Sequence, residues 1–272
     1  MDILNQLTGR RYRAVDDLLA FISIYDDERR TRAYHRLLGR HRRAIAGGTC
    51  VEGGAGLGLF SIAMARLGAR KVYAVEQNPL LAQIARERIA ELPRALASAI
   101  EVVHEPLQSF RPPGRVDVLL HELYGQLLYD EDLDALTRLR FRPARVMPDG
   151  GELRAGLVSC SSYGDPHVTP DVVRRLDGVL VSGLFPEKRT ELTFPVLRWN
   201  HARGLTQIPR SLKNRKGDLL VFGLVVTDRG RAVCEAAKCP NWSYVWTARA
   251  GDRFAFRFRR SGEFMNVTFR WL

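Results

Sequence analysis

The sequence predicts an α/β fold: a parallel, doubly wound sheet preceded by a helical arm and followed by an antiparallel β-rich half. Three observations carry this prediction. Apolar residues first recur at helical steps, strands and helices then alternate, and short aromatic and β-branched segments follow. We therefore expect three parts: an N-terminal helical arm (1–46), a doubly wound α/β domain (47–147) and an antiparallel β-rich domain (148–272).

The composition is that of a folded protein. Of the 272 residues, 46% are hydrophobic and 26% are charged, and the formal net charge is +12. This apolar share excludes an intrinsically disordered chain. No run approaches the ~18 uncharged apolar residues of a membrane span. The N-terminus also lacks the cationic start and apolar run of a signal peptide, so none is expected.

The four cysteines favour a reducing compartment. Cys50, Cys160, Cys234 and Cys239 include no C-x-x-C pair and are too few for a disulfide framework. We expect four free thiols, a cytoplasmic location and no bound metal. A zinc site built from Cys234, Cys239 and a histidine is the weaker alternative, because structural zinc usually takes four ligands in two tight pairs.

Residues 10–45 have the spacing of helices. Apolar side chains such as Val15 and Leu18 recur at three- and four-residue steps. The segment 26–43 is acidic first and basic last, which suits the dipole of a helix. We expect Gly39 to break this helical stretch in two.

Strand-helix alternation follows the arm. The predicted strands are 50–51, 71–76, 99–105 and 115–122. Gly68 ends the helix after the first strand, and Asn78-Pro79 supply a cap and a proline at the first position of the next helix. Parallel sheets of this kind bind ligands in the crevice at the carboxyl ends of their strands.

The segment CVEGGAGLGLF places three glycines between a strand and a helix. Gly54, Gly56 and Gly58 let the backbone turn sharply and let a ligand approach closely. The G-x-G-x-x-G spacing of a dinucleotide fingerprint is not met. Glu76 ends the second strand, 22 residues after Gly54, where its carboxylate can accept both hydroxyls of a ribose. A glycine-rich turn without a ligand is the weaker interpretation.

The segment HELYGQLLYDEDL places two carboxylates around a short loop. Glu122 lies at the end of the fourth strand, and Glu131 follows nine residues later. Such a pair can clamp a planar cation and orient its nitrogen toward a reactive centre. An acidic surface loop is an equally weighted alternative, because Asp130, Asp132 and Asp134 surround Glu131.

In this order, these features resemble the protein arginine methyltransferases, which use S-adenosylmethionine. The resemblance is strong over 24–150, weak over 218–255 and absent over about 160–215. It implies a Rossmann-like, seven-stranded methyltransferase domain that binds S-adenosylmethionine. A β-barrel-like or β-sandwich domain that binds the substrate is implied to follow it.

The resemblance also implies site residues. Implied to bind the cofactor are Arg30, Glu52, Gly54, Gly56, Gly58 and Glu76, with Arg30 on the methionine carboxylate. Glu52 stands where the family usually has aspartate. Implied to hold the substrate guanidinium and to be catalytic are Glu122 and Glu131. Implied to contact the acceptor are Tyr25, Tyr124, Asn241 and Trp242.

Three departures from the family concern the acceptor and the assembly. Asn241 replaces the family's loop histidine, although Asp27 matches the partner acid of that histidine. The aromatic cover near the arm is reduced to Phe21 and Tyr25. No segment of the sequence resembles the family's dimerisation arm. The sequence therefore leaves the oligomeric state open, with a homodimer as one alternative.

The charge distribution bears on the acceptor. The three parts carry +4, zero and +8, so the donor-binding part is neutral and the flanks are basic. A +12 protein repels basic protein tails at long range. Two acceptors remain besides a protein arginine: a ribosomally made peptide whose amine is methylated, as in daptide-type tailoring, and a free small molecule such as arginine.

A nucleic-acid-binding module without catalysis is the alternative from another functional class. Its candidate contacts are Arg203, Arg210, Lys213, Arg215 and Lys216. The intact set of cofactor and loop residues favours the enzyme.

Overall fold

The computed structural model describes residues 9–162, 166–176, 178–183, 190–239, 242–262 and 264–272. The chain packs into two compact units. The α/β unit comprises Met1–Glu122 and Arg138–Pro148, and the β unit comprises Leu123–Thr137 and Asp149–Leu272. Packing therefore groups residues 123–137 with the β-rich half, whereas the three-part division at 46 and 147 stays a prediction from the sequence.

Three helices open the α/β unit. They are α1 (Gly9–Asp26), α2 (Glu28–Arg40) and α3 (Arg42–Ile45). The sequence predicted one break at Gly39, whereas the structure has two breaks, at Asp27 and at His41. Gly39 itself lies inside α2. Asp27 leaves helical geometry with φ −76° and ψ 82°, and its side chain accepts the N–H of Arg30 at 2.9 Å. An aspartate at the N-cap starts a new helix, whereas a glycine one residue before a helix end is tolerated.

The central sheet of this unit is parallel and has five strands. These are β1 (Thr49–Gly53), β2 (Lys71–Glu76), β3 (Ile100–His104), β4 (Val118–His121) and β5 (Val146–Met147). Their order is β3-β2-β1-β4-β5, so the chain adds strands on one side of β1 and then on the other. The predicted parallel, doubly wound sheet is confirmed.

The helices that connect these strands start and end as the sequence indicates. They are α4 (Leu59–Arg66), α5 (Pro79–Ala90) and α6 (Arg94–Ala97). Asn78 caps α5, since its side chain accepts the N–H groups of Leu80 at 2.9 Å and Leu81 at 3.2 Å. Gly68 follows α4 with φ +88°, a conformation that glycine adopts without strain.

Among the described residues, the parallel sheet has five strands, two fewer than the seven that the family resemblance implies. The next strand, β6 (Gly150–Val158), begins shortly after β5 but pairs antiparallel with β8 (Phe194–Asn200) and β10 (Leu219–Asp228). The chain beyond Pro148 therefore builds the second sheet instead of extending the first.

The β unit is built from antiparallel strands, as predicted. Its remaining strands are β7 (Val181–Ser182), β9 (Gly204–Gln207), β11 (Arg231–Glu235), β12 (Val245–Ala248), β13 (Phe254–Ser261) and β14 (Phe264–Trp271). Seven strands of the β unit, including β6, β8 and β10, form one sheet along the path β7-β12-β10-β6-β8-β9, with β11 on β10. The strands β13 and β14 pair with each other. A short helix, α7 (Pro170–Arg174), and 3-10 turns at Asp132–Thr137 and Cys160–Ser162 complete the unit.

Aromatic side chains fill part of the core of the β unit. The ring of Phe222 lies 5.6 Å from Phe254, 5.2 Å from Phe256 and 5.9 Å from Phe269, between ring centroids. Because alternate residues of a strand face one side, the Phe254 and Phe256 spacing delivers both rings to this cluster. The alternation seen in the sequence is therefore the signature of a strand buried on one face.

The prediction of four free thiols is wrong for two cysteines. Cys234 and Cys239 form a disulfide, with their Cα atoms 6.2 Å apart. The chain turns back after β11, where the N–H of Cys239 donates to the carbonyl of Glu235 at 3.0 Å, and this turn brings the two cysteines together. Cys50 and Cys160 are free and buried.

The described residues contain neither a membrane-spanning helix nor a group of metal ligands. No helix among them has the length and apolar character required to cross a bilayer. Within the same residues, no three His, Cys, Asp or Glu side chains are grouped so that they could hold a metal ion.

Candidate active site

The candidate site of the α/β unit lies at the carboxyl ends of β1, β2 and β4. The glycine loop follows β1, Glu76 is the last residue of β2, and Glu122 comes directly after β4. Because β1 pairs with both β2 and β4, these three ends are neighbours at one edge of the sheet. The order of the strands reverses at β1, which is where doubly wound sheets open a ligand crevice.

The glycine loop is folded back onto β2. Gly54, Gly56 and Gly58 have φ of +69°, +53° and +75°, the left-handed region that favours glycine. The N–H groups of Gly54 and Ala55 both donate to the carbonyl of Val75, each at 3.0 Å. The loop thus has a fixed conformation that requires glycine at all three positions.

Glu76 ties this loop to the start of α5. Its Oε2 accepts the N–H of Gly56 at 2.8 Å, and its Oε1 accepts the N–H of Asn78 at 2.7 Å. Only 4% of Glu76 is exposed, and burial raises its pKa, although the backbone N–H groups act in the other direction. An ionised carboxylate has about four lone-pair sites, so Glu76 keeps capacity for further donors such as ribose hydroxyls.

Two aromatic residues of α1 lie against the glycine loop. A Cβ added at Gly56 would overlap Cε1 of Phe21 and lie 3.2 Å from the hydroxyl of Tyr25. That hydroxyl accepts the N–H of Leu57 at 3.2 Å. Burial, followed by the charge of Glu52, raises the pKa of Tyr25 to about 12, so Tyr25 keeps its proton. The structure places Tyr25 at the glycine loop.

Arg30 and Glu122 form a buried, two-point ion pair. Nε of Arg30 contacts Oε1 of Glu122, and Nη2 contacts Oε2. Nη1 donates to the carbonyl of Ile24 at 3.0 Å, and the guanidinium lies 5.8 Å from the ring centre of Tyr34. Burial lowers the pKa of Arg30, and this contact geometry is the bidentate pairing that suits a guanidinium and a carboxylate.

Glu52 is directed at the start of α4. Its Oε2 accepts the N–H of Ser61 at 2.6 Å and also the hydroxyl of Ser61. Burial raises the pKa of Glu52 to about 8 against the effect of these hydrogen bonds. The structure therefore gives Glu52 a partner within the protein, and its predicted contact with the cofactor stays a prediction.

Among the described residues of the α/β unit, three acidic side chains, two histidines and one arginine are buried. Asp27, Glu52 and Glu76 are at most 5% exposed, and the side chain of Glu122 is 16% exposed. Arg30 is the one arginine or lysine among the buried residues that the structure describes in this unit. Of these acids, Glu122 already contacts a guanidinium at two points, which is the geometry that suits a planar cationic ligand.

Glu131 belongs to the β unit. Its side chain has more than a third of its surface open, yet the protein around it limits its hydration. This desolvation, followed by the charges of Asp130 and Asp132, raises the pKa of Glu131 to about 7. A carboxylate that titrates near neutral pH suits transfer of a proton.

The acids around Glu131 have other partners. Oδ1 of Asp130 accepts the N–H of Leu127 at 2.8 Å, within the loop. Asp132 and Asp134 both pair with Arg260, and Nε of Arg260 donates to Asp134 at 2.6 Å. Among the described residues, Glu131 has no such ion pair, which sets it apart from its acidic neighbours.

The remaining predicted acceptor residues have different surroundings. Tyr124 is 2% exposed, and its hydroxyl donates to the carbonyl of Gly150 at 3.0 Å. Trp242 is 4% exposed, and its backbone N–H donates to the carbonyl of Cys239 at 3.0 Å. Both placements are those of packed residues of the β unit. Asn241 lies outside the described residues.

Sequence reasoning missed two partners of site residues. Ser61 donates a hydrogen bond to Glu52. A serine in the first turn of α4 was the sequence signal that could have indicated a bonded group at the start of this helix. Arg260 holds the acids near Glu131 from 126 positions further along the chain, and no local pattern of the sequence connects them.

Glycine replacements should separate backbone strain from crowding. Gly56→Ala and Gly47→Ala both place a side chain at positive φ, +53° and +71°, but an added Cβ has nothing within 4 Å at Gly47. We expect each to cost about 1–2 kcal/mol in denaturant unfolding. Only Gly56→Ala should also displace Phe21 and abolish a thermal shift by S-adenosylhomocysteine. Equal loss of that shift in both variants would contradict the assignment of the loop.

Glu52 should make stability fall as pH rises. The folded chain keeps the proton of Glu52 up to about pH 8, whereas the ordinary pKa is 4.5. Unfolding between these pH values releases a proton, so the free energy of unfolding decreases with pH. Thermal unfolding from pH 5 to 8 should show a smaller decrease in Tm for Glu52→Gln than for the unchanged chain. The exposed control Glu91→Gln should behave like the unchanged chain, and parallel curves for all three would refute the effect.

The comparisons with known proteins point to one group of enzymes. No family model matches the chain. The chain is 34% identical over 169 residues to an arginine N(omega)-methyltransferase of Streptomyces achromogenes subsp. streptozoticus, covering 61% of this chain and 44% of the relative. It is 31% identical over 148 residues to protein arginine N-methyltransferase 6 of Danio rerio, covering 51% and 41%. The matches thus span less than half the length of these relatives.

Solved structures show the same fold over nearly the whole chain. Protein arginine methyltransferase 10 of Arabidopsis thaliana matches with a TM-score of 0.63 and 17% identity, covering 91% of this chain and 92% of that one. A structure of PRMT6 with SAH matches with a TM-score of 0.68 and 14% identity, covering 93% and 99%. In sequence over part of its length, and in fold over nearly all of it, the chain is similar to the arginine N-methyltransferases.

Proposed function

We propose that this protein is an S-adenosylmethionine-dependent N-methyltransferase whose acceptor is a guanidine nitrogen of arginine. The observation that carries the proposal is the two-point contact between Glu122 and a guanidinium at the carboxyl edge of the parallel sheet, where the carboxyl group of Glu76 is also buried. Both reactants are cations, a sulfonium and a guanidinium, and such an edge stabilises both. The similarity to arginine methyltransferases in sequence and fold supports the same conclusion.

The residues of the α/β unit fit the methyl donor. The glycine loop exposes backbone at the end of β1, and Glu76 keeps lone pairs for the hydroxyls of the donor's ribose. Arg30 supplies a cation for the donor's carboxylate. When bound, S-adenosylmethionine supplies an activated methyl group on sulfur. The structural neighbour PRMT6 was solved with SAH, which supports this class of cofactor.

Glu122 fits the acceptor, because it already holds a guanidinium. Arg30 uses one lone pair on each oxygen of Glu122, which leaves a second lone pair on each for the N–H groups of an incoming arginine. Two such hydrogen bonds would fix the plane of the acceptor and so the direction of its reactive nitrogen.

Glu131 is the proposed proton acceptor. The guanidine nitrogen forms a bond to the methyl carbon as the bond from carbon to sulfur breaks, and one N–H proton must leave. With a pKa of about 7, Glu131 is part ionised at neutral pH, and it can take that proton and pass it to water.

The acceptor class can be narrowed by charge. The net charge of +12 opposes a basic protein tail, so we propose free arginine or an arginine in a neutral or acidic peptide. The relative from Streptomyces is an arginine N(omega)-methyltransferase, which agrees with a guanidine acceptor. An amine of a tailored peptide is the second candidate. Contacts of Tyr25, Tyr124, Asn241 and Trp242 with the acceptor, a cytoplasmic location and a homodimer remain proposals from the sequence.

The first test replaces Glu122. Glu122→Gln keeps the shape of the side chain but removes the charge that holds the acceptor, so kcat/KM for arginine methylation should fall at least ~100-fold. The thermal shift by S-adenosylhomocysteine should persist, because Arg30 stays in place. Mass spectrometry of free arginine, arginine peptides and amine-bearing peptides gives the readout. Glu91→Gln is the exposed control, and activity of Glu122→Gln above one tenth would overturn the role.

The second test follows pH. A base must be ionised to accept a proton, so kcat/KM should rise with pH through about 7, the pKa of Glu131. Asp132→Asn removes a neighbouring negative charge and should move this rise to lower pH. Asp171→Asn, an exposed change elsewhere in the β unit, should leave it in place. A profile that is unchanged in Glu131→Gln would show that another group takes the proton.

A further inference from the structure

The β13–β14 hairpin has one apolar face and one basic face. Burial alternates along both strands, and the rings of Phe254, Phe256 and Phe269 belong to the buried face. The outer face is the side of the hairpin that carries the alternate residues: Ala255, Arg257, Arg259, Ser261, Asn266, Thr268 and Arg270. These seven residues, whose side chains the structure describes, include three arginines and no acid.

The three arginines of the outer face are exposed and lack acidic partners. No carboxylate in the described part of the chain forms an ion pair with Arg257, Arg259 or Arg270. Arg260, which lies on the opposite face of the same strand, pairs with Asp132 and Asp134. The 3-10 segment Asp132–Thr137 thus supplies carboxylates to the inner arginine, whereas the three outer arginines have none among the described residues.

The register places these arginines close together. Arg257 and Arg259 are two residues apart on one strand, which corresponds to about 6.6–6.8 Å. Arg257 faces Thr268, and Arg270 faces Ala255, so Arg270 is a diagonal neighbour of Arg257 at about 7–8 Å. Like charges at such spacing repel each other, and an anionic ligand would remove this cost.

Further cations adjoin the start of the hairpin. The N–H of Leu212 donates to the carbonyl of Asp252 at 2.8 Å, and Nη2 of Arg249 donates to the carbonyl of Leu212 at 2.9 Å. These bonds hold the turn that carries exposed Lys213 and Lys216 next to the residues that precede β13. Two further exposed cations thus lie close to the start of the hairpin.

The chemistry of the outer face favours a carboxylate-bearing polypeptide. The described aromatic rings of the hairpin belong to the opposite face. The guanidinium fork matches carboxylates, and alternate side chains of an extended peptide recur at the same spacing of about 6.6–6.8 Å.

We propose that the outer face of β13–β14 binds an extended acidic peptide segment. We assign this acidic segment to the substrate that carries the arginine, and this assignment rests on the proposed function. The acidic segment is recognised by Arg257, Arg259 and Arg270, whereas the arginine to be methylated is recognised by the acids at the sheet edge. A substrate with acidic and arginine-bearing segments satisfies both surfaces, and a uniformly basic tail satisfies only one.

Peptide binding tests the surface by itself. The probe is a fluorescein-labelled 12-residue peptide with Glu and Ser alternating, measured by anisotropy with the full chain. The triple variant Arg257→Ala, Arg259→Ala, Arg270→Ala should weaken binding about tenfold, and changing the same residues to Glu should abolish it. The control Arg66→Ala, Arg86→Ala, Arg94→Ala removes equal charge from exposed positions of the α/β unit and should change affinity less than twofold.

Several results would overturn the proposal. Equal weakening by both triple variants would show a general charge effect. Equal binding of a Gln–Ser peptide would remove the role of the carboxylates. A 12-base-pair DNA duplex that binds more tightly than the peptide, and loses this binding in the outer-face variant, would assign the surface to nucleic acid.

Methyl transfer separates this proposal from the proposed function. The outer-face variant should keep its activity on free arginine. On an arginine peptide extended by the Glu–Ser segment, its KM should rise about tenfold with kcat unchanged. An unchanged KM refutes the assignment to the substrate. If no acceptor is methylated by the unchanged chain, the proposed function fails, whereas peptide binding still decides whether the outer face binds acidic peptides.

Discussion

The removal of carboxylates from water is the constraint around which the α/β unit is organised. An unpaired buried carboxylate is costly, and each of the three at the sheet edge is accommodated differently. Glu76 accepts hydrogen bonds from backbone N–H groups. Glu52 accepts a hydrogen bond from the N–H of Ser61 and has a raised pKa. Glu122 forms an ion pair with Arg30. The partners of these acids lie in the glycine loop, in the first turn of α4 and in α2. The same groups therefore support the local fold and make this edge attractive to cations.

Local signals in the sequence identified the α/β unit well. Residues 71–76 were predicted as a strand and form β2, and Asn78 caps α5 as expected. These features depend on a few adjacent residues, so a single sequence contains them. The break at Asp27 was missed because it depends on a side-chain cap, and the second break lies at His41, two residues beyond the predicted Gly39.

Features that depend on distant residues were not predictable. The disulfide needs the turn after β11 that brings Cys239 back to Cys234, and a cysteine count does not contain this turn. Arg260 lies 126 positions from Asp134, and no period connects them. The number of strands in the parallel sheet was set by the antiparallel pairing of β6 with β8 and β10, which again joins distant segments. The site residues named from the sequence were placed by the resemblance more than by any spacing.

The path of the chain has a consequence for folding during synthesis. The α/β unit is interrupted by residues 123–137, and its last strand, β5, comes after that interruption. While the chain leaves the ribosome, β4 therefore has an open edge until residues 146–147 emerge. Residues 123–137 can pack only later still, because the strands with which they are grouped are synthesised last. Truncation at residue 122 would leave β4 unpaired on one side, and an exposed strand edge invites association with other chains.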